Sequence, residues 1–315
     1  MTKNYILGGG VAGITFAYLN PTFKFFDRNP MGQLNSKYSL GPRLITLDDQ
    51  TVDFFRKHGA GLGFPIQIIS MAKVGYYDGV DVSATADEKF KRYYSLKTRG
   101  KKEYESTFLS AGETEIGHIT FDDLGEHSYL GLFSRMLNVC RDRGQIIDKN
   151  VSHVDMQLRI ITDEDGKRYS YWKLVNTLNL KVFQQMIDEL LFGCDMKVEP
   201  KSFYVTERGE NYLLDQMRKA GYSYVYSTCN SFDRVSFFDD YNVFERRVAF
   251  DKIDDPFMGC AVLKSFENIP IQIVNSIDMK RVNHIRNLGR YAQWKHGVKF
   301  NDVLKEAHDI MRAWL

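Results

Sequence analysis

Apolar positions along the chain come first in short runs and later in longer periodic stretches. Tyr5-Ile6-Leu7 is an apolar run broken at once by Gly8, Gly9 and Gly10, after which small and apolar residues continue to Leu19. That order predicts a strand, a tight turn and a helix. Phe23 to Phe26 reads as a second strand ending at Asp27. Downstream, the pattern predicts a helix at 51–58, a glycine-rich linker in GAGLGFPIQ, and a hairpin turning near Asp78-Gly79. It predicts a second hairpin in 88–107, turning at Arg99-Gly100. A helical segment follows within 121–147, where Leu130, Phe133, Met136, Leu137 and Val139 are apolar. Next come a helix over 173–193 stopped by Gly193 and a strand in 244–255. A closing helix is opened by Phe300, Asn301 and Asp302, with Asn301 or Asp302 as its N-cap. Helical and strand-like stretches thus alternate throughout, which places the chain in the α/β class.

The glycines carry chemistry because of their spacing. Gly8-x-Gly10-x-x-Gly13 stands between a strand and a helix. The first glycine permits the turn, the second lets the backbone approach a pyrophosphate, and the third lets helix and strand pack closely. Phosphates would sit at the helix start, on Val11 and Ala12, where free N–H groups favour anions. Asp27 follows Gly8 by 19 residues, where a carboxylate accepts from a ribose hydroxyl. On these residues alone the dinucleotide is NAD or FAD.

Three separated segments bear on that choice. LGPRLITLDDQTVDFFRKHG at 40–59 resembles the stretch after the second strand in UDP-galactopyranose mutases, flavoenzymes related to the amine oxidases. NLGRYAQWKHGVKFNDVLKEAHDIM at 287–311 is similar to the closing motif of the same group. MKVEPKSFYV at 196–205 with YSYVYST at 222–228 looks like the strand contacting adenine and the strand returning to the dinucleotide fold. The resemblance, to FAD-dependent amine-oxidase-like and UDP-galactopyranose mutase-like flavoproteins, implies FAD. It also implies a Rossmann-like FAD-binding domain (1–60, 192–232 and 275–315) with an inserted α+β substrate domain (61–191 and 233–274). Residue by residue, it implies a cofactor site of Gly8, Gly10, Val11, Ala12, Gly13, Asp27, Arg28, Gly32, Gln33, Pro42, Arg43, Val198, Thr228, Gly289, Arg290, Phe300 and Asn301. Lys295 would position a water or the flavin N5, Arg290 would stabilise charge beside the ring, and Trp294 and Tyr291 would wall the substrate.

The match is better for the cofactor than for the substrate. The mutases carry histidines just after the Gly-Pro, where this chain has Arg43, Leu44, Ile45 and Thr46. The resemblance therefore leaves two reactions open: hydride transfer from an amine or alcohol to flavin N5, and a non-redox mutase or lyase step on reduced flavin.

Charge narrows the partners little. The 42 basic and 40 acidic residues in 315 leave a net +2, so any nucleic-acid or membrane case must be local. The densest local charge is Lys89, Lys91, Arg92, Lys97, Arg99, Lys101 and Lys102, interleaved with Phe90, Tyr93, Tyr94 and Tyr104. Such a stretch is either a solvated, lysine-protected edge hairpin or a DNA or RNA contact through 89–104, which would make a base the substrate. Cys140, Cys194, Cys229 and Cys260 have no metal-ligand spacing, so no metal is expected. With no long uncharged apolar run, the expected setting is cytoplasmic, with a small-molecule or nucleotide substrate.

Overall fold

The computed structural model describes residues 3–31, 45–46, 48–64, 69–71, 73–99, 116–119, 129–187, 195–208, 212–229, 231–238, 240–247, 261–274, 283–293 and 299–314. The first strand, β1 (Lys3–Leu7), pairs in parallel with β2 (Phe23–Phe26) on one side and β11 (Arg168–Asn176) on the other. Around them β8 (Ile146–Ile147), β9 (Val151–Asp155), β10 (Ile160–Asp163) and β17 (Ile285–Asn287) complete a seven-stranded sheet of order β8-β2-β1-β11-β10-β9, with β17 beside β11.

Strand alternation sends successive side chains to opposite faces. Ile6, Phe25 and Val175 face a core shared with α1 (Val11–Leu19), α5 (Tyr129–Asp142) and α9 (Phe300–Trp314). Tyr5, Leu7, Phe26 and Leu174 face the other core, closed by α6 (Leu180–Met186) and the β9-β10 hairpin. α1 ends where Asn20 turns its side chain back to the Phe16 carbonyl and Pro21 forbids continuation. The fully buried Gln145 amide clamps this corner, donating to the carbonyls of Ala17 and Phe23, both at 2.9 Å. Gln145→Leu keeps the volume but removes the donor, and is expected to cost about 2 kcal/mol in urea denaturation.

A second seven-stranded sheet, order β16-β12-β15-β14-β13-β5-β6, is mostly antiparallel. It comprises β5 (Val74–Tyr77), β6 (Val82–Ser83), β12 (Asp195–Glu207), β13 (Tyr224–Ser227), β14 (Arg234–Phe237), β15 (Tyr241–Arg246) and β16 (Ala261–Val274). α7 (Tyr212–Lys219) covers one face through Leu214 and Met217, and α4 (Glu88–Arg99) covers part of the other through Phe90 and Tyr94. A small sheet, β3 (Ile45–Thr46), β7 (Ile116–Ile119) and β4 (Ile69–Met71), stands apart. α2 (Asp49–Phe54) runs through a π-helical turn, Phe55–Gly59, into α3 (Ala60–Leu62).

Three expectations are corrected here. The basic-aromatic stretch after Asp87 is the helix α4. Phe90 and Tyr94 are buried and Lys97 is partly buried, at spacings of four and three, and the Asp87 carboxylate accepts from the Phe90 N–H at 2.6 Å, as an N-cap does. Lys101, Lys102 and Tyr104 lie outside the described residues. The helix expected over 173–193 begins only at Leu180; Lys173 to Asn176 finish the strand β11, whose Leu174 and Val175 read as one apolar run because both sheet faces are covered. The domain boundaries also shift. β12 and β13, expected beside the glycine strand, pair inside the second sheet, while β8 to β11, expected in the substrate domain, pair with β1 and β2. The hairpin at Asp78-Gly79 is present, its turn held by the Asp78 carboxylate accepting from Val80 and Asp81.

Candidate functional site

β1 and β11 run in parallel and end together, and the residues that follow them form a cradle. Gly8 adopts the left-handed region (φ +94°), and a Cβ on Gly13 would stand 2.0 Å from the Gly8 carbonyl oxygen. Only glycine lets α1 start this close to β1. Gly10, the N-cap, offers no capping side chain, and the first turn of α1 holds no acidic residue. Among the described residues, and apart from its chain neighbours, no atom lies within 4 Å of a Cβ placed on Gly10. Among the described residues the start of α1, with Val11 and Ala12 in its first turn, is therefore uncovered, and its first N–H groups have no partner within the helix.

Asp27 stands where its spacing predicted. One carboxylate oxygen accepts from the Gly9 N–H at 2.5 Å and the other from Asn29 at 2.7 Å. Arg28 pairs with Glu164 at 2.8 Å, and Glu164 also accepts from the Asn150 amide, so the end of β2 is joined to the residues flanking β9 and β10.

Thr177 and Asn176 complete the cradle and were not singled out from the sequence. The Thr177 hydroxyl donates toward the carbonyls of Leu7 (2.7 Å) and Gly8 (3.0 Å), and the Asn176 amide donates to Asn287 at 3.0 Å. Their signal was available: KLVNT is an apolar run stopped by Asn-Thr, the strand-then-polar-turn pattern of a parallel strand end. Beyond β17, Gly289 (φ +90°) brings its backbone against α1, where a Cβ would meet that of Ala12 at 2.8 Å. This seats the short helix α8 (Arg290–Gln293) beside the glycine turn. At the start of α9, Phe300 packs edge-on to Phe54 and Phe133, and Asn301 donates to Asp48 at 2.8 Å. Neither Asn301 nor Asp302 is the N-cap; both lie inside the helix, and Asp302 reaches back to the Lys299 N–H.

Structure thus brings together Gly8, Gly10, Val11, Ala12, Gly13, Asp27, Gly289 and Arg290. Arg28 sits at the rim. Val198 and Thr228 do not join them. Val198 lies in β12 opposite Pro270, and the Thr228 N–H donates to Tyr77, both within the second sheet. The neighbour of β2 is instead β8, and the Asp27 N–H donates to the Ile147 carbonyl at 3.2 Å. Gly32, Gln33, Pro42, Arg43, Trp294 and Lys295 lie outside the described residues.

Charged side chains line the second sheet. Glu245, almost wholly buried, accepts from Lys201 at 2.5 Å and from Arg234 through both Nε and Nη2. Arg234 also lies over the Tyr224 ring, 4.5 Å from its centroid. Nearby, Asp233 takes Lys97 and Arg246, each at 3.0 Å. Burial pushes the Lys201 ammonium down to about 8; Glu245 opposes that shift, while the charges of Arg234 and Arg290 add to it. α8, which Arg290 begins, also packs against β16 of this sheet. Among the described residues no group of three or more His, Cys, Asp or Glu is placed to hold a metal, and no helix is long and apolar enough to cross a membrane.

No protein-family model matches the sequence, and no curated protein matches it. Solved structures do. The chain is similar to a reduced UDP-galactopyranose mutase at 11% identity, with a TM-score of 0.65 over 100% of this chain and 96% of that one. An oxidoreductase from Methanosarcina mazei matches at 10% identity and TM-score 0.65 over 99% and 100% of the two chains. A cyclohexylamine oxidase from Brevibacterium oxydans matches at 9% identity and TM-score 0.56 over 99% of each. The chain has the fold of these proteins, as the resemblance implied.

Proposed function

We propose that the chain is an FAD-dependent enzyme that oxidises a small molecule at a carbon bearing an amine or a hydroxyl. The observation that carries this is the open, uncapped start of α1 at Gly10, flanked by Asp27 and closed by Thr177 and Gly289. Its shape and donor set fit a dinucleotide: N–H groups for the pyrophosphate and a carboxylate at the end of β2 for the ribose. The fold shared with an amine oxidase and a flavin-using mutase supports FAD over NAD.

In this reading Gly10, Val11, Ala12 and Gly13 hold the pyrophosphate, and Asp27 holds the adenosine ribose. The base lies over the 147–151 segment, which replaces Val198 in that role because it is the segment next to Asp27. Arg290, at the junction of cradle and second sheet, stabilises negative charge beside the ring. Phe300 and Asn301 support the ring end from α9, and Trp294 and Lys295 remain candidates for the substrate wall and for a proton-holding group. When bound, FAD supplies the hydride-accepting chemistry that no protein side chain offers.

The test separates fold from ligand. Gly10 has φ −75° and ψ −175°, which any residue adopts, and among the described residues nothing stands in its Cβ direction. Gly10→Val is therefore expected to fold normally while losing the pyrophosphate approach, weakening FAD by about 100-fold, or about 3 kcal/mol. Purified wild type should show flavin absorption near about 375 and 450 nm. Unchanged FAD affinity in Gly10→Val, or no flavin bands after FAD is added to wild type, would sink the assignment.

A further inference from the structure

The middle glycine of the turn, Gly9, is held from both sides by the residues that follow β2. Its N–H donates to the Asp27 carboxylate at 2.5 Å, and its carbonyl accepts the Met31 N–H at 2.8 Å. Met31 makes that bond from the left-handed region (φ +73°), which a residue with a Cβ occupies only at a cost. Its side chain anchors it there. Met31 is 3% exposed in the core shared with α1, α5 and α9, and the Ser134 hydroxyl donates to its sulfur at 3.6 Å. Pro30 stands against Gly9 as well, where an added Cβ would meet the proline ring at 3.0 Å.

The consequence falls on Gly10. A trans peptide points its C=O and N–H in opposite directions, and no cis bond occurs among the described residues. With the Gly9 carbonyl turned to Met31, the Gly10 N–H is turned away from the 28–31 loop, and among the described residues no acceptor takes it. A peptide between two glycines has no Cβ to oppose a flip. Flipped, it would offer an anion a carbonyl oxygen in place of a donor. We propose that Met31 is a positioning residue for the cofactor: it locks the Gly9-Gly10 peptide so that the pyrophosphate meets the Gly10 N–H and not the Gly9 carbonyl. The left-handed backbone of Met31 is the cost of that lock. This rests on the cradle holding a dinucleotide, and it deepens that reading by naming a residue outside the glycine motif on which phosphate recognition depends.

The test titrates the purified protein, freed of flavin, with three ligands in a calorimeter: FAD, ADP, which keeps the pyrophosphate, and adenosine, which has no phosphate. Met31→Gly keeps the N–H but releases the anchor. It is expected to weaken FAD and ADP by about tenfold, the loss of one hydrogen bond to a charged group, and to leave adenosine unchanged. Met31→Leu refills the same volume and should bind both anions as wild type does. A merely structural role for Met31 would weaken all three ligands together. Should Met31→Gly fail to fold, Pro30→Gly loosens the same loop at a half-buried position and is expected to act in the same direction. Equal loss for adenosine, or FAD and ADP held as tightly by the loosened variant as by wild type, would overturn the proposal. Wild type that binds ADP but shows no flavin bands after FAD is added would sink the flavin assignment alone, since ADP against adenosine still reads the lock.

Discussion

A Gly13→Ala variant is expected to lose at least about 3 kcal/mol of stability, a large share of the 5–15 kcal/mol that holds a typical domain together. The added methyl would sit 2.0 Å from the Gly8 carbonyl oxygen, a backbone atom fixed by its strand. Neither partner is a flexible side chain that can swing aside. Relief requires moving α1 away from β1, which opens the core containing Ile14, Phe16 and Ala17 and widens the phosphate cradle with it. Urea denaturation measures the first loss and FAD titration the second. A variant within 1 kcal/mol of wild type would show that α1 is seated less tightly on β1 than this geometry requires.

The second large effect concerns Glu245. Glu245→Gln preserves shape and leaves Lys201 and Arg234 without their carboxylate, and it is expected to cost about 3–5 kcal/mol. The deficit should depend on pH with a definite sign. The Lys201 ammonium is lowered from 10.5 to about 8 in the folded protein, so between those values the unfolded chain binds more protons than the folded one. From this group, stability therefore rises with pH across that window. In Glu245→Gln the one residue raising Lys201 is gone and the window opens lower, so the deficit relative to wild type should shrink as pH rises toward about 8 and stay level above it. A deficit independent of pH, or one that grows as pH rises, would show that Lys201 is not the charge left exposed by the substitution.

Legibility differed by range. Gly8, Gly10, Gly13 and Asp27 were readable because the whole unit, strand, turn, helix and strand, is contiguous and each glycine answers a local steric demand. β11 was not, because Leu174 and Val175 are apolar for a reason external to their segment, cover on both faces of a sheet whose other strands lie far off in sequence. α4 misled through its lysines: interleaved charge and aromatics looked like alternation, whereas Phe90, Tyr94 and Lys97 form a helical stripe. The resemblance at 196–205 found a genuine strand and placed it in the wrong sheet, since strand character does not specify a partner. The Glu245 cluster was invisible because its cations, Lys201 and Arg234, stand on two different strands, β12 and β14, and meet Glu245 only through the sheet.

The position of β1 also sets a timetable for synthesis. β2 is made within moments of β1, but the other edge of β1 is filled by Arg168–Asn176. At a ribosomal pace of about 5–20 residues per second, that edge stays uncovered for on the order of ten seconds or more. Through that interval the nascent chain exposes Tyr5, Ile6 and Leu7 on an unpaired strand, the kind of surface that holding chaperones bind and that neighbouring polysomes can cross-pair. Slowed translation before residue 168 should thus lower soluble yield more than the same delay placed after residue 176, once the parallel partner has emerged.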